Sequence, residues 1–298
     1  MADTRSIVIT GASRGLGFAS AAHLYARGWH VVAAMRSPDA GLQRLRSATG
    51  AEPGDPRLTA VPLDLDDAAS IASAGKAVTE AVGAPWAVMH NAAYITVGCV
   101  EEVPSHLIEQ VFSTNVFGPI RLTRELLPAM RQAGRGRIVV VSSVGGIRGM
   151  PAISLYSASK GAIERWAEAL AHEIAPFGLG VTVLSTGVFR TDIYDENFTT
   201  SHADRQGPYA PHHAGLDRAG ERVTRSAKPP ERFAAALEKA LEKDAPFARR
   251  AIGTETRMML MASRLLPASA FHSLTRTATG LPRRHALRPQ HHAGTGDA

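Results

Sequence analysis

The sequence is poor in cysteine, in aromatic residues and in long apolar runs. Cys99 is the single cysteine among 298 residues, so the chain forms no internal disulfide and gives no sign of an oxidising compartment. No window reaches the roughly 18 uninterrupted apolar residues that a membrane-spanning helix needs. Residues 1–5 lead directly into an apolar segment and leave no room for a signal peptide. We therefore expect a cytoplasmic protein without a membrane span.

The sequence also lacks the charge pattern of a nucleic-acid-binding protein. It carries 33 basic and 27 acidic residues, a net charge of +6. Part of this excess lies in the C-terminal segment 282–298, which contains three arginines and a single carboxylate, Asp297. The other basic residues form no run and are not interleaved with aromatic residues, which make up 6% of the chain. A mildly basic, solvated surface accounts for the charge, and we expect no nucleic-acid partner.

Short apolar runs alternate with longer helical patterns along the first 190 residues. The runs are apolar throughout, which is typical of strands buried on both faces, and they lie at residues 6–10, 30–34, 58–61, 86–89, 137–141 and 181–184. Residues 251–253 are a candidate for a short last strand. The alternation predicts right-handed βαβ units and an α/β fold, a doubly wound Rossmann sheet of about seven parallel strands with helices on both faces. We expect a single domain over residues 1–280.

The pattern changes after Asp192. Residues 194–228 show no clear period and are rich in glycine, proline, histidine and charged residues, so we expect a long loop or two short helices that act as a substrate lid. Helical patterns follow over residues 229–280, beginning after Pro229 and Pro230. Residues 281–298 have the composition of a disordered tail.

A glycine-rich loop, Thr10-Gly11-Ala12-Ser13-Arg14-Gly15-Leu16-Gly17, separates the first strand from the first helix. A strand–glycine loop–helix unit presents backbone N–H groups and a helix N-terminus to a phosphate. The spacing is G-x-x-x-G-x-G rather than the general G-x-G-x-x-G fingerprint. A glycine-rich turn without a ligand is the alternative, but the position after an N-terminal strand favours a dinucleotide site.

The end of the second predicted strand indicates which dinucleotide binds. A carboxylate there would accept the ribose 2′-OH of NAD, whereas an arginine would pair with the 2′-phosphate of NADP. The strand ends in Met35-Arg36 without a carboxylate, and Arg14 in the glycine loop could reach the same phosphate. Both features favour NADP(H). The alternative is that Arg14 and Arg36 are ordinary surface arginines.

Tyr156, Lys160 and Ser143 form the candidate reaction centre. Tyr156 and Lys160 are four residues apart near the start of a helical pattern and so share one face, and Ser143 ends the fifth predicted strand. A nearby lysine lowers the pKa of a tyrosine, which can then protonate the oxygen of a carbonyl undergoing reduction. A serine can hold that oxygen by a hydrogen bond. Taken alone, a Tyr-x-x-x-Lys pair is more often a packed tyrosine and a solvated lysine.

These motifs together resemble the short-chain dehydrogenase/reductase family, in particular its single-domain branch with a T-G-x-x-x-G-x-G loop. The resemblance covers residues 5–193 closely and continues more loosely to about residue 266. It implies a catalytic tetrad of Asn115, Ser143, Tyr156 and Lys160, with Asn115 positioning a proton-relay water and Lys160 also binding the nicotinamide ribose. The family's usual thirteen-residue step to the tyrosine selects Ser143 over Ser142.

The resemblance also implies a set of cofactor-binding residues. These are the glycine-loop residues Gly11, Ser13, Arg14, Gly15, Leu16 and Gly17; Asp64 and Leu65 at the adenine; Asn91, Ala92 and Ala93 beside the ribose; and Gly187, Val188 and Thr191 at the nicotinamide. The chain departs from the family pattern at two points. It has His90-Asn91-Ala92-Ala93 where the family has Asn-Asn-Ala-Gly, and Thr186-Gly187 where the family has Pro-Gly. Both departures leave the cofactor-contacting positions filled.

The expected function is that of an NADP(H)-dependent oxidoreductase, or carbonyl reductase, acting between a ketone or aldehyde and its alcohol. Similarity to 17β-hydroxysteroid and retinol dehydrogenase-like members favours a bulky hydrophobic substrate, and the family implies a homodimer or homotetramer. Two alternatives stay open: a catalytically silent NADP(H)-binding regulator, and a membrane-surface enzyme recruited by its basic tail. We expect no metal, because the pairs His212-His213 and His291-His292 have no carboxylate or cysteine at ligand spacing.

Overall fold

The fold is built on a parallel sheet whose strands lie close to the predicted segments. The computed structural model describes residues 5–191 and 199–287. Its strands are β1 Ser6–Thr10, β2 His30–Met35, β3 Leu58–Pro62, β4 Ala87–His90, β5 Ile95–Val97, β6 Gly136–Ser143, β7 Leu179–Thr186, β8 Thr199–Ser201 and β9 Phe247–Ile252. Seven of them form one sheet in the order β3-β2-β1-β4-β6-β7-β9, and its strand pairs are all parallel. The prediction of a seven-stranded Rossmann sheet is confirmed.

Helices cover both faces of this sheet. They are α1 Gly15–Ala26, α2 Pro38–Thr49, α3 Ala68–Val82, α4 Ser105–Phe112, α5 Gly118–Ala133, α6 Val144–Ile147, α7 Ser154–Ile174, α8 Ala210–Arg225, α9 Glu231–Leu241, α10 Thr254–Leu265 and α11 Ala268–Ala278. Alternate residues of one strand enter opposite cores: Ile7 and Ile9 pack on the side of α1, α2 and α9, whereas Val8 packs on the side of α3, α5 and α7. Within the described ranges, no helix is long and apolar enough to cross a bilayer.

The strand order reverses between β1 and β4, and this reversal places the site. β1 pairs with β2 on one side and with β4 on the other. The chain therefore leaves the two strands in opposite directions, and a crevice opens at their carboxyl ends. The glycine loop follows β1, and residues 91–94 follow β4. These two segments border the crevice.

Two strand predictions need correction. The last strand of the main sheet is Phe247–Ile252 rather than residues 251–253, because Arg249 and Arg250 interrupt the apolar pattern that marks a buried strand. Arg249 is tolerated there because its guanidinium meets a buried carboxylate on α7. Strands β5 and β8 were not predicted. They are three residues long and form a separate two-stranded parallel sheet.

The region predicted as a loop or two short helices contains one long helix. α8 spans 16 residues from Ala210 to Arg225. Its sequence carries Pro211, two glycines and several charged residues, so its helical period is weak, and its apolar residues face the rest of the protein only over part of its length. Part of the predicted lid, residues 194–198, and the end of the predicted tail, residues 288–298, lie outside the described residues.

Candidate active site

A cavity of about 870 Å³ lies at the carboxyl edge of the main sheet. The ends of β1, β2, β4, β6 and β7 line it, together with residues of α8 and α10. Most of the predicted site residues line this one cavity: Gly11, Ser13, Arg14, Gly15, Leu16, Arg36, Asp64, Leu65, Asn91, Ala92, Ala93, Ser143, Tyr156, Lys160, Gly187, Val188 and Thr191. The cavity thus brings together residues that are up to 180 positions apart in the chain. Gly17 and Asn115 lie behind its wall.

The glycine loop needs its glycines for two different reasons. Gly11 and Gly15 have positive φ angles of 67° and 53°, which side-chain-bearing residues rarely adopt. At Gly17, a Cβ would lie 2.3 Å from the carbonyl oxygen of Gly11, so only glycine lets α1 pack this close to the loop. Gly17, a predicted cofactor-binding residue, therefore lies in a packing position one layer beneath the cavity.

The first turn of α1 suits a phosphate. The residue at its N-cap, Arg14, is extended, and no side-chain cap bonds the first amides of the helix. Gly15 and Leu16 line the cavity at this point. Amides at a helix N-terminus and the positive end of the helix dipole together attract an anion. The residues present therefore fit the pyrophosphate of a dinucleotide.

The loop is supported by two side chains whose contacts sequence reasoning did not give. The Asn91 amide donates to the carbonyl oxygens of Thr10 (3.0 Å) and Gly11 (3.3 Å). Arg44 of α2 donates to the carbonyl oxygen of Ser13. Asn91 thus lines the cavity while its side chain braces the glycine loop. Arg44 carries no local signal in the sequence, because its approach depends on how α2 packs.

The far end of the cavity, beside the β2 terminus, holds Arg36. Arg36 is exposed and lines the cavity together with Met35 and Ser37, and this segment contains no carboxylate. Asp64 and Leu65 line the same end from the segment after β3. The Asp64 carboxylate accepts from the backbone amide of Asp66 at 3.0 Å, which holds the turn in place.

Tyr156 and Lys160 lie side by side on α7 and are both buried, at 9% and 4% exposure. The Lys160 Nζ lies 5.6 Å from the centre of the Tyr156 ring and donates to the carbonyl oxygen of Val141 at 2.9 Å. Burial lowers the pKa of Lys160 to about 8, against the attraction of Glu164, which raises it. Near neutral pH the ammonium is still mostly charged and sits next to the tyrosine.

Ser143 and Ser142 have different surroundings although they are adjacent. The Ser143 Oγ accepts from the amide of Gly145 at 3.2 Å, which fixes the oxygen at the cavity wall and leaves the O–H able to donate. The Ser142 Oγ is buried and donates to Glu164 at 2.6 Å. The structure thus leaves Ser143, and not Ser142, with a donor available to a ligand.

Asn115 lies in a π-helical turn, residues 113–117, between α4 and α5. Its Oδ1 accepts from the amide of Tyr94 at 2.7 Å, and its Nδ2 donates to Tyr94 O and to Ser159 Oγ, both at 2.9 Å. Ser159 in turn donates to the carbonyl oxygen of Tyr156 at 2.8 Å. Asn115 therefore ties the segment after β4 to the helix that carries Tyr156, one layer behind the cavity.

A buried carboxylate beneath the reaction centre was missed in the sequence. Glu164 is 1% exposed and lies one turn beyond Lys160 on α7. Besides accepting from Ser142, it lies 3.1 Å from the guanidinium of Arg249 on β9 and 3.5 Å from the hydroxyl of Ser185. The signal that could have identified Glu164 is its place on the buried face of a helix. A carboxylate is almost never fully buried without a partner, so a glutamate at such a position indicates a buried polar contact.

His90, at the first departure from the family pattern, is buried at the end of β4. Its Nε2 lies 2.8 Å from Thr123 Oγ1. Burial and then the positive charge of Lys160 lower the pKa of His90 to about 3. The imidazole is therefore neutral and adds no charge to the site. At the second departure, the Thr186 hydroxyl donates to Ser142 O at 2.9 Å and ties the end of β7 to β6.

The other end of the cavity is apolar. Leu216, Ala219 and Val223 of α8 and Met259 of α10 contribute apolar side chains to its wall. Lys228 and Glu255 form an ion pair of 2.9 Å at its margin. The α8 side chains come from the region whose sequence shows no clear period, whereas Met259 lies in a predicted helical pattern. That they line one cavity depends on the packing of α8 and α10.

A buried cluster outside the cavity joins α8 to the loop before α4. The His213 Nε2 donates to both oxygens of Glu102 at 2.8 and 2.9 Å, and the same carboxylate accepts from the amides of Cys99 (2.6 Å) and Asp204 (3.1 Å). His213 is 3% exposed and therefore buried, although it lies in a segment whose composition is that of a polar loop. Its carboxylate partner is far away in the sequence, at a spacing that no metal-ligand motif covers.

The ligand atoms of Cys99, Glu102 and His213 lie within 4.8 Å of one another. Burial and then the charge of Glu102 raise the pKa of the Cys99 thiol to about 11, so this sulfur is a neutral thiol at physiological pH. The Glu102 oxygens already accept the hydrogen bonds described above. The arrangement is that of a hydrogen-bonded clasp, which we call the Glu102–His213 clasp.

Comparison with known proteins relates the chain to one family. The family model described as short chain dehydrogenase matches residues 5–202. An uncharacterized oxidoreductase of Bacillus subtilis, YusZ, is 33% identical over 270 residues, 90% of this chain and 95% of the relative. The 3-ketodihydrosphingosine reductase of Bacteroides thetaiotaomicron is 28% identical over 258 residues, 87% of this chain and 91% of the relative.

Solved structures show the same likeness. A short-chain dehydrogenase from Streptomyces avermitilis is 32% identical with a TM-score of 0.77, covering 93% of this chain and 97% of its own. A short-chain dehydrogenase/reductase from Burkholderia phymatum, solved in complex with NAD, is 25% identical with a TM-score of 0.75. It covers 91% of this chain and 95% of its own. The likeness extends over almost the whole chain in both cases.

Proposed function

The chain belongs to the short-chain dehydrogenase/reductase family, and on this basis we propose that it is an NADP(H)-dependent oxidoreductase interconverting a ketone or aldehyde with the corresponding alcohol. The observation that carries the proposal is the pair Tyr156 and Lys160, buried side by side at the cavity wall. Burying a lysine costs free energy, and a site that retains one uses its charge. Ser143 lines the same wall with its hydroxyl able to donate.

The residues present fit a nicotinamide dinucleotide. The glycine loop and the first turn of α1 would hold the pyrophosphate, Asp64 and Leu65 the adenine, and the segment from Gly187 to Thr191 the nicotinamide. When bound, the cofactor supplies the hydride that is exchanged with the substrate carbon. The protein positions the substrate and the cofactor, supplies a proton, and supplies a positive charge that stabilises the deprotonated proton donor.

The proton comes from Tyr156. In the direction of reduction, the carbonyl oxygen gains negative charge and takes a proton from the Tyr156 hydroxyl, while the Ser143 hydroxyl donates a hydrogen bond to the same oxygen. The Lys160 ammonium stabilises the tyrosinate that is left and so lowers the pKa of Tyr156 toward the working pH. In the direction of oxidation, the tyrosinate takes the proton back.

The proposed preference for NADP(H) is based on Arg36. It lies at the adenine end of the cavity, where the 2′-phosphate of NADP would come, and Met35 and Ser37 beside it bring no carboxylate. Arg14 in the glycine loop is the second candidate partner for this phosphate. A related structure was solved with NAD, so a direct comparison of the two cofactors is required.

The substrate is proposed to be bulky and apolar, of steroid, retinoid or polyketide size. The support is the apolar wall contributed by α8 and α10. In this proposal α8 is the helical part of the substrate lid predicted at residues 194–228. The Bacteroides relative is named as a reductase of a keto compound, 3-ketodihydrosphingosine, which agrees with a ketone as the reacting group.

The test is turnover of NADPH and NADH against small, aromatic and steroid-sized carbonyls, by the wild type and by Tyr156→Phe. We expect NADPH-dependent reduction that favours the larger carbonyls. The variant should lose on the order of 10²–10⁴ in kcat, because proton transfer is lost, and should keep its affinity for NADPH. Faster turnover with NADH would overturn the cofactor assignment, and faster turnover of small polar ketones would overturn the substrate class.

A silent NADP(H)-binding regulator is the alternative function. It requires binding without turnover, so Tyr156→Phe would change neither cofactor affinity nor any reaction rate. The filled positions at Ser143, Tyr156 and Lys160 favour the enzyme, because a pure sensor has no need of a buried lysine beside a tyrosine.

A further inference from the structure

α10 presents an apolar stripe to solvent. Met258, Met261 and Leu265 are 65%, 56% and 76% exposed and follow the spacing i, i+3, i+7, which places them on one helix face. Leu266 continues the stripe at the end of the helix and is 38% exposed. Thr256, on the opposite face, is fully buried against the protein. We call Met258, Met261, Leu265 and Leu266 the α10 stripe.

Two arginines flank the α10 stripe on one side. Arg257 and Arg264 are exposed and lie on one flank of it, four residues before and three residues after Met261. Residues 254–287 carry five arginines and one carboxylate, so this short segment holds most of the net charge of +6 of the whole chain. The single carboxylate, Glu255, is already paired with Lys228 at 2.9 Å. The stripe is therefore apolar at its centre and cationic at its margin.

We propose that the α10 stripe docks on the surface of a membrane that contains anionic lipids. A helix with an apolar stripe and flanking arginines lies in the plane of the lipid–water interface, where the apolar side chains enter the acyl boundary and the guanidinium groups stay among the headgroups. Near an anionic surface, each basic residue strengthens binding by about fivefold. Docking is independent of turnover, so it can hold or fail separately from the proposed oxidoreductase activity.

A second copy of the chain fits this surface less well than a bilayer. A symmetric contact that packs two stripes antiparallel would bring the arginine flanks of both copies to the same side, and like charges facing each other oppose association. An anionic bilayer neutralises the same flank. Met259, on the adjoining face of α10, lines the cavity, so docking would place the apolar end of the cavity next to the bilayer.

The test is sedimentation of the full chain with two kinds of vesicle: phosphatidylcholine alone, and an equimolar mixture with phosphatidylglycerol. We expect binding to the mixed vesicles at low salt, with weaker binding at high salt and on phosphatidylcholine alone. The variant Met258→Ser/Met261→Ser/Leu265→Ser should bind about tenfold or more weakly. The variant Arg257→Gln/Arg264→Gln should bind more weakly and with a smaller dependence on salt.

The matched control is Ile108→Ser/Phe177→Ser, which replaces exposed apolar residues (41% and 45%) outside the C-terminal helices and should bind like the wild type. Circular dichroism of each variant checks that it is folded. Wild-type protein that stays in the supernatant with mixed vesicles at low salt would overturn the proposal. It would also be overturned if light scattering showed an oligomer that the triple serine variant converts to a monomer, because the stripe would then join copies of this chain.

Discussion

The surroundings of a side chain separate the proposed catalytic residues from their neighbours of the same type. Ser142 and Ser143 are adjacent, yet one serves a buried carboxylate and the other faces the cavity. Lys160 is the clearest case, because a charged side chain at 4% exposure reduces the stability of the fold. It has a hydrogen bond to Val141 and the attraction of Glu164, but these do not restore its ordinary pKa.

We expect Lys160→Met to be more stable and far less active than the wild type. The folded-state pKa of about 8 lies below the ordinary value of 10.5, so the folded chain carries the full cost of the charged lysine at pH 7. Removing the charge should raise the free energy of unfolding by on the order of 1–3 kcal/mol. The gain should shrink as the pH rises through 8 toward 10.5, where the wild-type lysine loses its proton. Urea unfolding at pH 7 and pH 10 measures it, and a variant less stable than the wild type at pH 7 would contradict the prediction.

At the scale of elements, polar contacts of long range fasten the edges of the site to its centre. Arg249 on the edge strand β9 meets Glu164 on α7, which also receives Ser142 from β6. One carboxylate thus joins a helix to two strands directly beneath the reaction centre. α8 is fastened differently, through the Glu102–His213 clasp near its N-terminus.

Glu164→Gln should act on both stability and pH dependence. Arg249 would keep its charge at 18% side-chain exposure without a carboxylate, which costs roughly 3 kcal/mol. Loss of the attraction that raises the pKa of Lys160 should lower that pKa further, so turnover should decline at a lower pH than in the wild type. Glu168→Gln, on the exposed side of the same helix, is the control and should cost less than about 1 kcal/mol. If turnover of Glu164→Gln declined at the same alkaline pH as that of the wild type, Glu164 would not be the group that raises the pKa of Lys160.

Glu102→Gln should loosen α8 without unfolding the sheet. Burial raises the pKa of Glu102, but the hydrogen bonds from His213 and the amides of Cys99 and Asp204 outweigh it and lower the pKa overall. The clasp therefore stabilises the chain at neutral pH and is lost as the pH falls below the ordinary carboxyl value. The substitution should cost on the order of 1–3 kcal/mol locally, seen as faster hydrogen exchange in α8. Glu221→Gln, an exposed residue of α8, should leave the exchange unchanged.

At the scale of the whole molecule, one cavity crosses the point where the strand order reverses. Its walls come from both halves of the main sheet and from the C-terminal helices, so a dinucleotide would touch segments that otherwise meet only through the sheet. Binding should therefore stabilise the entire chain.

NADPH should raise the melting temperature of the wild type by several degrees. At a concentration near 100 times its Kd, a ligand that binds only the folded state adds about 2.7 kcal/mol to the free energy of unfolding. NADH at the same concentration should add less, and Arg36→Gln should reduce the difference between the two. Thermal denaturation with each cofactor measures this. An equal shift by NADH and NADPH in the wild type would contradict the assigned role of Arg36.

The sequence alone determined the main sheet and most of the cavity wall, because local signals specify them. Apolar runs mark strands buried on both faces, and glycines mark the loop at which a backbone must approach a phosphate. It placed β9 too late and took the α8 region for a long loop or two short helices, because the arginines and glycines of these elements hide the period. Only the tertiary structure showed the pairing of Glu164 with Arg249, that of Glu102 with His213, and the exposed face of α10. Contacts between residues far apart in the chain depend on how the elements pack, and no local pattern records them.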